Sequence, residues 1–266
     1  MTIRSLLTSI LTPPDRLLAK IIGKGFGLKD IFTLVNLGGG VAGIILAMKG
    51  KPIEASYAVL IGFILGDSLD GAVARLTGHS NRFGSDFDTI TDHLAQCIAP
   101  AVIVASHFFH YNYLFAGLLA FMIISAGSIR HARNTAADFN FHFCWKGLPR
   151  PIATMIIFAV LNGQIIKVVP YPQYFALAAV IGVSYGLLGD IPFVSHHGRR
   201  LQNWVIGIVI FAYSTAILLG LFYRKYFWDV LLLYMLVYTF FGWIVLSPEE
   251  RKEYRQAVAD WKSRLI

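Results

Sequence analysis

Charged residues are scarce in this sequence: they make up 14% of its 266 residues, against 56% that are hydrophobic. Soluble domains usually contain about 25% charged residues, so the composition excludes an ordinary soluble domain and indicates a chain that crosses a membrane several times. Acidic residues are the rarer kind, and the net charge is +8. The basic residues lie at the ends of apolar runs, as they do in membrane proteins. We therefore expect the lipid bilayer, and no nucleic acid, as a partner.

Cysteine is rare as well. Cys97 and Cys144 lack metal-ligand spacing, which excludes a cysteine metal site and a disulfide framework, and we expect both to be reduced and structural. The N-terminal residues lack the compact apolar core and the small-residue cleavage site of a secretory signal. No cleaved leader is expected.

Apolar stretches of the roughly 20 residues that are needed to cross a bilayer recur along the chain. Eight candidates lie at about 31–48, 53–76, 86–109, 113–133, 151–169, 173–190, 201–223 and 227–246. The sequence thus predicts an all-α, polytopic membrane helix bundle of about eight transmembrane helices. We divide it into a juxtamembrane segment, a main membrane domain, two additional membrane helices and a charged cytoplasmic tail, at 1–29, 30–190, 191–246 and 247–266.

The juxtamembrane segment mixes basic and apolar residues. Its apolar pairs Leu17-Leu18 and Ile21-Ile22 recur every four residues, and basic residues take the other face. This pattern predicts an amphipathic helix in the membrane interface, although residues 1–13 fit a disordered basic tail equally well. With the N-terminus inside, 18 of the 23 lysines and arginines fall on the cytoplasmic side. That bias favours a cytoplasmic location for both termini.

Residues 67–92 contain five of the fifteen carboxylates and lie between two apolar runs. Charge at membrane depth needs a partner or a water-filled cavity, and by default it marks a functional site. Offsets of three, four and seven residues return to one face of a helix. Two such faces occur, formed by Asp67, Asp70, Gly71 and Ala74 and then by Gly84, Asp88 and Asp92. Folding the two helices together across the 77–82 turn would point the four aspartates at one another.

Four carboxylates in one site repel each other unless they take up protons or bind cations. Oxygen-only ligand sets are preferred by Mg²⁺, Mn²⁺ and Ca²⁺, and two such ions would balance the charge. A pair of carboxylate-held metals commonly grips a diphosphate while a P–O bond breaks. Gly71 and Gly84 would let a bulky ligand approach, and Arg75 would contact phosphate. The alternatives are helix packing for the glycines and a flanking cytoplasmic charge for Arg75.

The motif resembles the signature of the CDP-alcohol phosphatidyltransferase family. The match has no gap and runs through Asp67-x-x-Asp70-Gly71-x-x-Ala74-Arg75, eight residues, and Gly84-x-x-x-Asp88-x-x-x-Asp92. The resemblance implies a membrane enzyme with a six-helix core, usually a homodimer, whose two-metal site opens to the cytoplasm. Such an enzyme moves a phosphatidyl group from CDP-diacylglycerol or a related CDP-lipid to an alcohol and releases CMP.

The resemblance also implies roles for single residues. The metal ligands would be Asp67, Asp70 and Asp88, with Asp92 completing the site and acting as the general base. The nucleotide and diphosphate contacts would be Asp67, Gly71, Ala74, Arg75 and Gly84. Asn36 is an amide at membrane depth and needs a partner, so a ligand role and a structural role are both open for it. Glycines 38–40 and Gly43 on the same helix are predicted to allow close helix packing.

A second stretch resembles the phosphatidylserine synthase branch of this family. The similar segments are the Arg-x-Ala-Arg step at 130–133, Gly-Leu-Pro-x-Pro at 147–151 and Ala-Pro-Ala at 99–101. Four cations in this region could hold a diphosphate or an acceptor carboxylate, or could simply flank the membrane: Arg130, Arg133, Lys146 and Arg150. We expect L-serine as the acceptor. The chain departs from the branch at 95–97, where Ala-Gln-Cys replaces Ser-Phe-Gly, and at 134–135, where Asn-Thr replaces Phe-Asn.

Other interpretations stay open at this point. The acceptor could be glycerol phosphate, inositol phosphate or choline, and the donor could be an archaeal lipid. A polyprenyl transferase also binds diphosphate through aspartates, but its motifs lie far apart in sequence. An ion-coupled transporter would spread its acidic residues along a pathway across the bilayer, whereas here they are concentrated in one segment.

Overall fold

A computed structural model of the protein describes residues 16–23, 25–66, 81–137, 144–195 and 222–265, with a few isolated residues between them. The chain forms two compact units, Met1–Ala116 and Gly117–Ile266. Both are mostly helical, as the sequence predicts. The described part departs from an all-α fold only in one ladder of two short strands.

The described part of the first unit includes α1 (Leu28–Met48), α2 (Pro52–Leu65), α3 (Arg82–His93) and α4 (Ala99–Phe108). A π-helical turn, Leu94–Ile98, joins α3 to α4 without a break. A π turn adds a residue to the usual helical turn; such turns are rare, and they frequently occur at functional sites. The start of α3 packs through Phe83 and Phe87 on Phe26, with ring centroids 6.3 and 6.5 Å from that ring.

Helices α1 and α2 pack tightly because glycines face each other. A Cβ atom added to Gly39 would lie 2.6 Å from the Cα atom of Gly62, so the two backbones touch. Gly43 lies against Val59 in the same way, and Gly40 lies against the π turn. The predicted packing role is confirmed for these glycines, as small residues permit close helix contacts. It is not seen for Gly38, since no described residue lies within 4 Å of a Cβ atom added there.

The second unit is larger, and α5 crosses into it from the first. Its helices are α5 (Tyr113–Ala136), α6 (Arg150–Asn162), α7 (Gln164–Val168), α8 (Pro172–Leu188), α9 (Phe227–Phe241) and α10 (Pro248–Leu265). Strands β1 (Cys144–Lys146) and β2 (Pro192–Val194) pair antiparallel. Short 3₁₀ segments, Arg224–Tyr226 and Gly242–Val245, flank α9.

Helix α6 forms the core of the second unit. It packs against both α8 and α9, and its residues from Ile156 to Asn162 are all buried. The carboxylate of Asp229 at the start of α9 accepts hydrogen bonds from the backbone N–H groups of Gln164 and Ile165, at 2.9 and 3.0 Å. These N–H groups belong to the first turn of α7 and have no partner within that helix. Asp229 therefore links α9 to the bend after α6.

Helix α10 differs from the charged tail that the sequence predicts at 247–266. Tyr254, Val258 and Trp261 recur every three or four residues and are buried. The Trp261 indole N–H donates a hydrogen bond of 2.7 Å to the carbonyl of Ala137. The segment is an amphipathic helix that packs on its own unit, and its charged residues cover only the outer face.

Four described helical stretches are long and apolar enough to cross a membrane: Leu28–Met48, Tyr113–Ala136, Arg150–Val168 and Arg224–Val245. The apolar helices α2 and α8 are shorter. These stretches indicate an integral membrane protein. The predicted count of eight helices, the segment boundaries and the interfacial N-terminal helix stay predictions, and the 201–223 stretch lies mostly outside the described residues.

Candidate functional site

The second half of the aspartate motif lies on α3, whose start is fixed by a cap. Asn81 Oδ1 accepts a hydrogen bond of 2.8 Å from the backbone N–H of Gly84, and its Nδ2 donates to the carbonyl of Gly25. An N-cap of this kind satisfies an N–H group that the helix leaves free. Asp88 and Asp92 follow one and two turns after Gly84, and both are half-buried. The cap thus fixes where α3 begins and, with it, the positions of the two carboxylates along that helix.

Two amide side chains hold the carboxylate of Asp92. Asn36 Nδ2 on α1 donates to Asp92 Oδ1 at 3.2 Å, and Gln96 Nε2 in the π turn donates to the same oxygen at 2.7 Å. Asn36 is completely buried and Gln96 is 6% exposed. Asn36 Oδ1 is also buried and accepts no hydrogen bond within the described part of the chain. Asp92 is therefore the centre of a small polar network inside apolar helices.

The same network lies beside the end of α2. A Cβ atom added to Gly66 would lie 2.6 Å from both the Cβ and the backbone nitrogen of Asn36. Gly66 directly precedes Asp67 in the sequence. Close packing of α2 on α1 thus brings the end of α2 next to the amide that binds Asp92.

Five residues of the motif lie outside the described residues: Asp67, Asp70, Gly71, Ala74 and Arg75. The convergence of four aspartates therefore stays a prediction. Among the residues that the structure does describe, no group of three or more histidines, cysteines, aspartates or glutamates is placed to hold a metal ion.

Gly84 lies beneath a buried ion pair. Lys29 Nζ is 2.9 Å from Asp30 Oδ1, and the two residues are 9% and 0% exposed. A Cβ atom on Gly84 would overlap the Lys29 ammonium and lie 2.9 Å from Asp30 Oδ1. The structure thus supports the packing alternative for this glycine, while its predicted contact with the nucleotide is untested. Lys29, at the end of the predicted juxtamembrane segment, belongs to α1 instead, and its side chain is buried against α3.

The predicted basic residues are close together in the second unit. The charges of Arg130 and Arg133 both act on Lys146, and those of Arg130 and Arg150 both act on His131. Arg130 and Arg150 are half-buried. These cations are thus near enough to share a ligand, and their role in binding the acceptor stays a prediction.

Asp190, which sequence analysis missed, binds three cations of this region. Its carboxylate lies 2.6 Å from Lys262 Nζ, 3.4 Å from an Arg133 nitrogen and 3.7 Å from Lys146 Nζ. Arg133 also donates to the carbonyl of Leu188 at 2.8 Å. Arg133 and Lys146 are thus engaged in contacts that fasten parts of their own unit together.

The indole ring of Trp261 lies against two of these cations, Arg133 and Lys146. Lys146 Nζ lies 3.7 Å from the centroid of the indole ring, and the Arg133 guanidinium carbon lies 5.0 Å from it. Both distances are in the range of cation–π attraction. Together with Asp190 and Lys262, these residues form what we name the Asp190 clasp.

The charge balance of the Asp190 clasp changes two pKa values. Burial, and then the neighbouring charge of Arg133, lowers the pKa of Lys146 from 10.5 to about 8, although Asp190 acts in the opposite direction. For Asp190, burial acts to raise the pKa, but the hydrogen bond and charge of Lys262 and the charges of Lys146 and Arg133 outweigh it and lower the pKa. Asp190 is therefore ionised at neutral pH.

The comparisons with known proteins agree with the motif. The family model of the CDP-alcohol phosphatidyltransferases matches residues 27–188, and this chain belongs to that family. The matched segment includes α1 to α8, and with them the whole aspartate motif and the predicted cations Arg130, Arg133, Lys146 and Arg150.

Curated relatives carry more specific names. A CDP-diacylglycerol–serine O-phosphatidyltransferase of Helicobacter pylori is 32% identical over 130 residues, which cover 48% of this chain and 54% of that protein. An archaetidylserine synthase of Methanothermobacter thermautotrophicus is 29% identical over 180 residues, or 65% of this chain and 72% of that protein. A CDP-diacylglycerol–serine O-phosphatidyltransferase of Methanocaldococcus jannaschii is 27% identical over 199 residues, or 74% and 85%. The chain thus spans about half the length of the Helicobacter relative.

Proposed function

We propose that this protein transfers a phosphatidyl group from CDP-diacylglycerol, or a related CDP-lipid, to the hydroxyl group of L-serine and releases CMP. The observation that carries the chemistry is the carboxylate of Asp92, which two amides hold inside the segment that matches the family. The printed names of the relatives, which include both phosphatidylserine and archaetidylserine synthesis, favour serine as the acceptor.

In this proposal, Asp92 is the general base. Its carboxylate accepts the proton of the serine hydroxyl, and the alkoxide oxygen forms a bond to the lipid phosphorus. The P–O bond to the CMP phosphate breaks, and CMP leaves with the electron pair. Each turnover thus forms one phosphodiester bond, breaks one diphosphate bond and transfers one proton to Asp92.

Divalent cations fit the donor atoms present. Asp88 and Asp92 lie on one face of α3, and the buried Asn36 Oδ1 adds a further oxygen atom without a described donor. Hard cations prefer such oxygen ligands. We propose that Asp67, Asp70, Asp88 and Asp92 hold two Mg²⁺ or Mn²⁺ ions, with Ca²⁺ as the alternative. When bound, these ions would neutralise the diphosphate and stabilise the charge on the leaving CMP.

The remaining predicted residues serve binding in this proposal. Gly71, Ala74 and Arg75 contact the nucleotide and its diphosphate, and Gly84 and Asn36 shape the adjoining surface. Arg130 and Arg150 bind the acceptor carboxylate, because arginine presents paired N–H donors. Arg133 and Lys146 are held by the Asp190 clasp, and in this proposal they add positive charge near the two arginines without contacting the acceptor.

We propose that the site and both termini face the cytoplasm and that the protein is a homodimer. The excess of lysine and arginine on one side of the membrane supports this orientation. Maleimide labelling of Ser263→Cys, which lies on the exposed face of α10, should occur from the cytoplasmic side. Labelling of Asn112→Cys, between α4 and α5, should occur from the opposite side. Reversed labelling would contradict the orientation.

Family membership favours this chemistry over a polyprenyl transferase or an ion-coupled transporter. Glycerol phosphate, inositol phosphate and choline remain alternative acceptors. CMP release by purified protein should be measured with CDP-diacylglycerol and each acceptor in turn, with Mg²⁺ and with Mn²⁺. Serine should give the fastest release. If serine gives no more CMP than a sample without acceptor while a phosphorylated polyol does, the serine assignment is wrong and only the family chemistry stands.

A further inference from the structure

Gln96 contacts Asp92 but has no role in the function proposed above. It lies in the π turn at Leu94–Ile98, and its side chain is buried among apolar residues. Its hydrogen bond to Asp92 Oδ1, at 2.7 Å, is shorter than the 3.2 Å bond from Asn36 to the same oxygen. A buried amide that donates directly to a candidate base is well placed to control the orientation of that base.

We propose that Gln96 is a positioning residue which, together with Asn36, fixes the rotation of the Asp92 carboxylate and thereby the direction from which it accepts the proton of the acceptor. This inference rests on the proposed function, because it requires Asp92 to be the base. It assigns a role to a position where the chain departs from the serine synthase branch.

The geometry fixes the carboxylate from two directions. Asn36 comes from α1 and Gln96 comes from the turn that follows α3, and both donate to Oδ1. Rotation of the carboxylate about its χ2 bond would move Oδ1 away from both donors at once. The direction of the other oxygen, Oδ2, is fixed with it.

The two donors are themselves held in place by backbone contacts. The backbone of Gly66 packs on Asn36, as described above. Gly40, one turn after Asn36, lies against Leu94 and Ala95, so that a Cβ atom added to Gly40 would lie 3.1 Å from the Cα atom of Ala95. The side chains therefore donate from rigid elements, which is what orientation to within a few tenths of an ångström requires.

Neutral donors suit this task. A lysine or arginine in place of Gln96 would orient Asp92 but would also neutralise it and compete with metal and proton. An amide donates a hydrogen bond and adds no charge. The two amides thus fix the direction of the Asp92 carboxylate without themselves neutralising it.

The test removes the hydrogen bond and keeps the shape. Gln96→Met retains the length of the side chain and lacks the N–H group, and methionine suits a buried position. We expect kcat for CMP release to fall about tenfold to a hundredfold, the usual effect of losing a hydrogen bond to a charged group. KM for the acceptor, and the affinity for CDP with Mg²⁺ measured by calorimetry, should stay within about threefold of the wild type.

Thr91→Val is the matched control. Thr91 is completely buried beside Asp92, and its hydroxyl makes no hydrogen bond within the described residues. Valine has nearly the same shape as threonine, so the exchange removes only a buried hydroxyl group from the residue next to Asp92. We expect kcat to stay within about twofold of the wild type. Gln96→Asn is the second variant: it keeps an amide that is too short to reach Asp92, so it should lose kcat as Gln96→Met does even if the methionine variant fails to fold.

Three results would overturn the inference. They are a kcat within twofold of wild type in both variants at position 96, an equal loss in Thr91→Val, and a parallel loss of CDP affinity and kcat. The last result would place Gln96 in the binding of metal and nucleotide. Failure of the serine assignment is distinguishable, since the ratio of variant to wild type can be measured with whichever alcohol supports CMP release.

Discussion

Two carboxylates, one in each unit, are surrounded by opposite kinds of donors. Asp92 accepts hydrogen bonds from two neutral amides, both at one oxygen. Asp190 is contacted by three cations, Lys262, Arg133 and Lys146. Cations neutralise the charge of a carboxylate, so such a carboxylate gains little further free energy from binding a cationic ligand or a proton. Neutral amides orient it and leave its charge in place, so Asp92 is suited to chemistry and Asp190 to holding its own unit together.

The difference explains why only part of the predicted basic group is assigned to ligand binding. Arg133 and Lys146 already share Asp190 and the ring of Trp261. A ligand carboxylate would have to displace those contacts. Four variants, taken from the largest expected effect to the smallest, test the distinction.

Asp92→Asn should lower kcat by about 10²- to 10⁴-fold, the range for loss of a general base. Affinity for CDP with Mg²⁺, measured by calorimetry, should change little because the other aspartates of the motif remain. Asp67→Asn provides the contrast and should weaken metal and nucleotide binding together. A kcat within a few fold of wild type in Asp92→Asn would refute its assignment as the base.

Asp190→Ala should lower stability and leave the chemistry in place. It removes the shared partner of Arg133, Lys146 and Lys262, and we expect a loss of about 1–3 kcal/mol, less than for a fully buried pair because the carboxylate is partly exposed. Thermal unfolding in detergent would show a midpoint several degrees lower. Asp260→Ala removes an exposed acid of α10, the helix that carries Lys262, and is the control that should change the midpoint little. A large loss of kcat in folded Asp190→Ala would contradict the comparison.

Lys146→Met should change the pH dependence of stability. The pKa of Lys146 is about 8 in the folded protein and about 10.5 when unfolded, so between these values the unfolded chain binds more protons and the free energy of unfolding rises with pH. The contribution is at most about 1.4 kcal/mol per pH unit. Unfolding should be measured between pH 7 and 9.5, where the methionine variant should lack this rise. An unchanged slope would refute the lowered pKa.

Asp229→Ala should have the smallest effect. Asp229 caps α7 from another helix, and the loss of such a cap usually lowers stability by about 0.5–2 kcal/mol. Asp229→Asn keeps one acceptor oxygen and should lose less. Thermal unfolding of the pair gives the order, and equal stability of Asp229→Ala and wild type would show that the cap contributes nothing.

Parts of both units could be predicted from the sequence. The long apolar runs locate α1 and α5 to within about three residues. A run of about 20 apolar residues is typical of a membrane-spanning helix and of few other structures. The glycines of α1 predict close packing, and Gly39 and Gly43 provide it. The spacing of Asp88 and Asp92 predicts a shared helix face, which α3 supplies.

The partners of these residues could not be predicted with the same ease. Gln96 is four residues after Asp92, a spacing at which glutamine and aspartate commonly pair on a helix, yet its apolar surroundings conceal the signal. Trp261 and Ala137 are separated by 124 residues, and no local pattern indicates such a contact. The buried spacing of Tyr254, Val258 and Trp261 is visible in the sequence, but the charged residues between them suggest a solvated tail.

The π turn between α3 and α4 lets the first unit contain an extra residue without rotating α4. Each residue of an α-helix advances the next by about 100°, so an extra residue in a regular helix would rotate everything that follows it. The wider turn at Leu94–Ile98 holds one residue more than a regular helical turn and takes up that rotation. Ile103 therefore still packs against Gly43. An insertion or deletion elsewhere in α3 or α4 has no such turn to absorb it and should rotate one part of the helix relative to the other.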